Sequence, residues 1–277
     1  VNSIDKALWF IESRGNASVS LDEIAAHAAV SKYHLLRAFS AATGLSIMRY
    51  VRGRRLSLAA RQLAAGAGDI LAVAVECGYG SHEAFTRAFR EQFGVTPEAV
   101  RAQQHVGGIQ LVEAIATGSD RFVALDAPRI ADCGLLLVTG INRYYAGLEA
   151  GAGIPAQWQQ FETYRSTVRN RIGQATYGVC YNVDDEGSMD YLCGVEVTSF
   201  VSLPAEFARM RLPPQRYAVF VHREHIAAIR TTWHAIWNDW LPRAGHEAVD
   251  APLFERYNER FNLQTGEDGV ELWVPIR

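Results

Sequence analysis

The 277-residue sequence predicts an α+β protein. Its N-terminal part reads as all-α with two helix-turn-helix units, and its C-terminal part as two βαββ halves around one antiparallel sheet. Three observations carry this. First, Ser31–Gly44 (SKYHLLRAFSAATG) returns at an offset of 50 as Ser81–Gly94 (SHEAFTRAFREQFG), with Ser31 on Ser81, Arg37 on Arg87, Ala38 on Ala88, Phe39 on Phe89 and Gly44 on Gly94. Second, past Gly107-Gly108 the apolar period changes from helical to alternating. Third, the order strand–strand–helix–strand–strand occurs twice, and a shift of 76 lays Tyr181-Asn182 on Tyr257-Asn258.

The elements follow in order. Ile4, Leu8 and Ile11 recur at helical spacing and predict an opening helix. Ser20-x-x-Glu23 is a capping box for a short helix over Leu21–Ala29. Ser31 N-caps a longer one carrying Leu35, Leu36 and Phe39. Short helix, tight turn, longer helix is the helix-turn-helix arrangement, and the small residues Ala28 and, one repeat on, Gly78 suit its close crossing. A long helix spans Ser46–Ala65, with Ile47, Tyr50, Val51, Leu58 and Leu63 on one side and Arg49, Arg52, Arg54, Arg55 and Arg61 on the other. Twenty residues reach ~30 Å, near the ~34 Å repeat of B-DNA. The second copy then runs from Asp69 as N-cap through Ile70–Cys77, the turn Gly78-Tyr79-Gly80 and the helix Ser81–Phe93. Thr96-Pro97-Glu98 opens a last helix ending near Gln104.

This gives residues 1–106 as one domain, 107–119 as a linker and 120–277 as a second domain. In the second, Phe122–Leu125, Leu135–Ile141, Tyr177–Tyr181, Tyr191–Val197, Phe207–Leu212, Tyr217–His222, Phe254–Tyr257 and Val270–Ile276 read as strands. Pro155–Arg171 and His225–Leu241 read as helices.

The formal net charge of −3 argues against a nucleic-acid binder until it is divided. Residues 1–105 carry 12 Lys+Arg against 9 Asp+Glu, and the remainder 15 against 21, so a basic part precedes an acidic one. Cys77, Cys133, Cys180 and Cys193 show no C-x-x-C spacing and read as buried thiols. No apolar run reaches the ~20 residues of a membrane span and no signal-peptide pattern opens the sequence, so a cytoplasmic protein without membrane contacts is expected. P-loop, G-x-G-x-x-G and G-x-S-x-G patterns are absent, and His222 and His225 lack a third ligand, so neither a cofactor nor a metal is expected.

Residues 1–105 resemble the DNA-binding domain of the AraC/XylS family of bacterial transcription regulators. The resemblance rests on LDEIAAHAAVSKYHLLRAFSAATG, on RGRRL in the linking helix and on SHEAFTRAFREQFGVTPEAVR. Residues 120–277 resemble the GyrI-like effector-binding domain through YGVCYNVDDEGSMDYLCGVEV, LPPQRYAVFVH, TWHAIWNDWLP, FERYNERF and VELWVPIR. The layout is similar to Rob-type regulators. It implies a transcription regulator whose partners are double-stranded promoter DNA, a small-molecule effector and RNA polymerase, acting as monomer or homodimer.

The base-reading positions of that family fall on Tyr33, Leu36 and Arg37, where Leu36 replaces the glutamine common in the Rob-like branch and offers only apolar contact. Arg37 can donate a bidentate pair to guanine. In the second head His82, Glu83, Thr86 and Arg87 face outward at the matching turns. Arg37 and Arg87 have a second reading as structural arginines, kept by both copies. Lys32, Arg52 and Arg55 read as phosphate contacts or as a solvated helix face.

In the C-terminal domain, strand alternation puts Glu255 and Tyr257 on one face and Phe254 and Arg256 on the other. The GyrI-like resemblance places such a glutamate at the bottom of the ligand pocket, which suits a cationic amphiphile or antibiotic. Trp233, Trp237 and Trp240 form a helical stripe, read either as core or as pocket wall. Tyr181 is added as the counterpart of Tyr257. An alternative function is open: some GyrI-like relatives are hydrolases, with such a glutamate as general base.

Overall fold

The structure, a computed structural model, describes all residues except 1, 116–121, 147–149 and 263–264, and the side chains of 151–152. The chain divides into two compact units.

The first seven helices are α1 (Ser3–Arg14), α2 (Leu21–Ala28), α3 (Lys32–Thr43), α4 (Ile47–Ala64), α5 (Ile70–Glu76), α6 (His82–Phe93) and α7 (Pro97–Gln103); all lie in the first unit except α3 from Leu36 onward, which belongs to the second. The Ser20/Glu23 capping box is formed on α2, and Asp69, Ser81 and Thr96 cap α5, α6 and α7. The repeat has two offsets rather than one. The longer helices α3 and α6 stand 50 apart, but α2 and α5 stand 49 apart, because N-cap Ser20 matches Asp69. Burial decides it: Leu21 is buried like Ile70, whereas Leu71 is 48% exposed. The left-handed turn residue is Ala29 (φ 57°) in the first copy and Gly78 (φ 74°) in the second. The Ala28/Gly78 pairing is therefore one residue out, and the 50-residue offset that would lay Leu21 on Leu71 does not hold for the short helices. The second turn holds one residue more.

Helix α4 has no single polar side. Arg54 is buried, because α1 presents Glu12 to it: Arg54 Nε donates to Glu12 Oε1 at 2.9 Å and Nη2 to Oε2 at 2.7 Å. The Tyr50 hydroxyl donates to Glu12 Oε1 at 2.6 Å. Burial pushes the Glu12 carboxyl up, but Arg54 and Tyr50 outweigh it and hold it below its ordinary value. Burial beside Glu12 pushes Tyr50 up to about 12.

The stretch expected as a linker begins by packing on this helix. Val106, Ile109 and Leu111 cover the core cluster of Leu56, Leu63, Phe85 and Phe89. Val112 is held at both backbone groups: its N–H donates to Ser57 Oγ at 2.9 Å and its carbonyl accepts from Arg54 Nη1 at 2.8 Å. Its side chain fills the notch at Gly53, where a Cβ would lie 2.7 Å from Val112 Cγ2. The Ile115 N–H donates to Tyr50 Oη at 3.2 Å, and Arg61 pairs with Glu113. Residues 106–115 thus form a strap along α4.

The second unit is one eight-stranded antiparallel sheet in the order β1-β6-β8-β7-β3-β4-β2-β5. Its strands are β1 (Arg129–Cys133), β2 (Leu136–Tyr145), β3 (Arg171–Tyr181), β4 (Met189–Val197), β5 (Ala208–Leu212), β6 (Gln215–His222), β7 (Leu253–Tyr257) and β8 (Val270–Pro275). Each half contributes strands, a helix and strands, and the first strand of each half crosses to the edge of the other, β1 beside β6 and β5 beside β2. The halves meet where β3 pairs β7.

Phe122–Leu125 is not a strand; the Phe122 ring instead lies 5.1 Å from that of His234. The first strand is β1, whose RIADC sequence lacks apolar alternation because it is an exposed edge. Helix α8 runs over Ala150–Arg165 and stops before the expected Arg171, which begins β3. Val168 is still buried, in the turn that follows. The second helical run is α9 (Ile229–Ala235), a π-helical turn (Ile236–Trp240) and α10 (Leu241–Arg243). Among the described residues no helix is long and apolar enough to cross a membrane. All four cysteines are free; Cys77, Cys180 and Cys193 are buried and Cys133 half-buried.

Candidate functional site

The two longer helices open alike. Ser31 Oγ accepts the His34 N–H at 3.1 Å and Ser81 Oγ the Ala84 N–H at 3.2 Å. Both close on a left-handed glycine, Gly44 (φ 76°) and Gly94 (φ 73°). Tyr33, Leu36 and Arg37 lie at i, i+3 and i+4, on one face of α3, each half-buried. Lys32 pairs with Asp22 at 3.0 Å in an exposed contact.

In α6, Glu83 and Arg87 are exposed one turn apart. Backbone and Ser81 hydrogen bonds at the helix start hold the Glu83 carboxyl below its ordinary value. His82 Nε2 lies 2.9 Å from Glu98 Oε1 of α7. Thr86 departs from its outward expectation. Its hydroxyl oxygen is buried without a hydrogen-bond partner, because Thr86 sits one turn before core Phe89.

On α4, Arg52 is half-buried. Arg55 is drawn toward the second turn, its guanidinium carbon 5.9 Å from the Tyr79 ring centre. That contact favours the bracing role for Arg55 over a phosphate contact.

In the sheet unit Glu255 occupies the middle of β7. Antiparallel pairing sets Glu255 opposite Gly178, and Tyr257 opposite Thr176, on one face. Glu255 Oε2 accepts from Tyr257 Oη at 2.7 Å and from Tyr191 Oη at 2.9 Å. Among the described residues, Oε1 takes only the Trp233 indole N–H, at 3.4 Å. Trp158 Nε1 donates to Tyr191 Oη at 3.2 Å. Behind it, Gln157 Nε2 donates to the carbonyls of Ile141 and Tyr191 and pins α8 to the sheet. Burial raises the Glu255 carboxyl above its ordinary value, against the lowering donors Tyr257, Tyr191 and Trp233. Burial beside that carboxylate raises both tyrosines as well. Among the described residues no ion pair to Glu255 occurs.

Trp233 and Trp237 both line this pocket, although Trp237 is also almost wholly buried. Trp240, the last residue of the π-helical turn, packs edge-on against Phe220. Tyr181 is a correction. It lies on the opposite face, with its hydroxyl donating to Asn142 Oδ1 at 3.0 Å. The cause is parity: an even shift of 76 between halves exchanges the faces of a strand, whereas 77 lays Gly178 on Glu255 and Cys180 on Tyr257. Tyr191 and Trp158 are the pocket residues that sequence reasoning missed. Tyr191 was visible only as a strand residue, and Trp158 as part of an amphipathic helix.

Among the described residues no group of three metal-binding side chains occurs. The buried His222 ring lies 2.8 Å from Thr232 Oγ1 and 3.2 Å from the His225 carbonyl.

Residues 24–103 match a helix-turn-helix domain family and residues 127–277 the GyrI-like small molecule binding domain. The transcriptional regulator Rob of Salmonella typhimurium is 42% identical over 287 residues, covering 99% of this chain and 97% of that protein. The chain belongs to the AraC-type regulators of the Rob family. It is a DNA-binding transcriptional regulator with a GyrI-like effector domain behind its helix-turn-helix units. The transcriptional regulator BrlR of Pseudomonas aeruginosa is 28% identical over 150 residues, 53% of this chain and 54% of that protein. The right origin-binding protein of Escherichia coli K12 is 42% identical over 97 residues, 35% of this chain and 33% of that protein. These relatives are named as regulators or DNA binders, and the hydrolase reading of Glu255 gains no support from them.

Proposed function

We propose that this regulator reads two adjacent major-groove segments with the starts of α3 and α6 and is controlled by an aromatic cation bound over Glu255. The carrying observation is the pocket floor, where a carboxylate has hydrogen-bond donors on it and, among the described residues, no ion-pair partner. An ionised group in such surroundings is costly until a positive ligand enters. Trp158, Trp233, Tyr191 and Tyr257 supply flat faces for dispersion and cation–π attraction. On DNA, Tyr33, Leu36 and Arg37 read one segment and Glu83 and Arg87 the other, with Lys32 and Arg52 on phosphates. A DNA-binding role supports a cytoplasmic regulator that works in reach of RNA polymerase.

The test is a thermal-shift and tryptophan-fluorescence titration of the full chain with cationic amphiphiles, repeated on Glu255→Gln. Saturable stabilisation of the wild type, at least tenfold weaker in the variant, is the expected result. Equal stabilisation of both proteins refutes a role for the carboxylate, and a reaction product lost in Glu255→Gln decides for a hydrolase. The sign of the pH dependence is fixed. Glu255 is raised above 4.5 in the folded protein, so the ionised form that attracts a cation disappears as pH falls through that raised value. Cation affinity therefore falls with acidification, starting above the pH at which an ordinary glutamate titrates.

A further inference from the structure

Tyr191 stands on β4 and Glu255 on β7, with β3 between them. Two strand spacings are about 9.6 Å, so the phenol reaches the carboxylate only by lying across the β3 backbone. It crosses at one position. Gly178 is opposite Glu255 on one side and opposite Cys193 on the other. A Cβ built on Gly178 would lie 2.0 Å from Tyr191 Oη, 2.9 Å from its Cζ and 2.9 Å from Glu255 Oε2. No side chain fits there while the Tyr191–Glu255 hydrogen bond stands. Gly178 has no left-handed backbone to explain the glycine, since its φ is not among the positive ones. What the position requires is bare backbone.

The hydrogen bond so admitted has a directional effect. With Tyr191 and Tyr257 both on Oε2, that oxygen's acceptor capacity is taken, while Oε1 holds, among the described residues, only the long Trp233 contact. Trp158 on Tyr191 Oη fixes the phenol so that its own proton points at Glu255. We propose that Gly178 is a specificity-determining residue of the pocket: its bare backbone is the gap through which Tyr191 reaches Glu255 and turns the free carboxylate oxygen to a cationic ligand. This rests on the reading of the pocket as a cation site. The missing side chain works through Tyr191, so Gly178 is a positioning residue and touches no ligand itself.

The test compares two probes of nearly one shape, methyltriphenylphosphonium and neutral triphenylphosphine oxide, by calorimetric titration of the full chain. Wild type is expected to prefer the cation. Gly178→Ala and Tyr191→Phe are each expected to cut the cation-to-neutral affinity ratio about tenfold, the scale of one hydrogen bond to a charged group. Affinity for the neutral probe stays within about twofold, a split that general loss of packing would not produce. The double variant should lose no more than either single one, because both remove the same bond. Additive losses, or an unchanged ratio in Gly178→Ala, overturn the proposal. Where Gly178→Ala does not fold, Tyr191→Phe decides: its cation affinity should begin to fall at a higher pH than in wild type, and an unchanged profile and ratio overturn the proposal. A wild type that binds both probes equally, or neither, overturns the cation reading itself and the proposal with it.

Discussion

Both units are internal duplications, and the two have been used in opposite ways. The helix-turn-helix copies keep side chains: Ser31 and Ser81 cap their helices identically, and Gly44 and Gly94 end them at the same left-handed φ. They differ on the faces proposed to meet DNA: Tyr33 stands against Glu83, and half-buried Leu36 against Thr86, whose hydroxyl is turned inward. The halves of the sheet keep topology and little else. The Glu255 pocket lies on the seam, with Trp158 and Tyr191 from one half and Trp233, Glu255 and Tyr257 from the other. A duplication that repeats a scaffold yields two sites. One that shares a seam yields one site, and its charge sits on one side only.

The comparison is broken most severely at α4, which belongs to neither helix-turn-helix copy yet joins them. Arg54→Ala should cost roughly 3 kcal/mol or more, since it leaves Glu12 without its cation and the Val112 carbonyl without its side-chain donor. Denaturant unfolding measures it, and a loss below about 1 kcal/mol would show the network to be incidental. The same network sets an acid limit. Glu12 is depressed below 4.5 in the folded state, so its contribution is fully present above the unfolded value and is lost as pH falls through the folded one. In Glu12→Gln that part of the acid transition should disappear.

Next in size is Arg37→Ala, expected to cost 1–3 kcal/mol in specific DNA affinity while leaving non-specific affinity nearly intact. Footprinting at several salt concentrations separates the two. A uniform loss over all sequences would return Arg37 to the scaffold. The smallest effect sharpens the repeat. Ala29 holds the left-handed position that Gly78 holds in the second copy, so Ala29→Gly should raise stability by up to about 1 kcal/mol. A measured loss instead would mean that the Ala29 methyl contributes packing that outweighs its strain.

Much of this was legible before the structure. Capping residues, the 50-residue echo and the strand alternation around Glu255 depend on local rules, and local rules can be read from a string. The failures share a cause in counting. A one-residue insertion in the second turn moved the partner of Leu21 from Leu71 to Ile70, and an even shift between the halves put Tyr181 on the wrong face. Tyr191 was out of reach for another reason: its role depends on an absence at Gly178, thirteen residues away. Arg54 read only as one more arginine on the polar side of its helix, because its partner, Glu12, lies on another helix.

The strap along α4 has a consequence for where the DNA-reading part can be cut. A fragment ending at residue 106 would strip Ile109 and Leu111 from the core and leave Ser57 and Tyr50 without the backbone donors they receive. It would expose apolar surface and invite aggregation. A fragment reaching residue 115 keeps every one of those contacts. Limited proteolysis of the whole chain should accordingly spare the two glycines at 107–108.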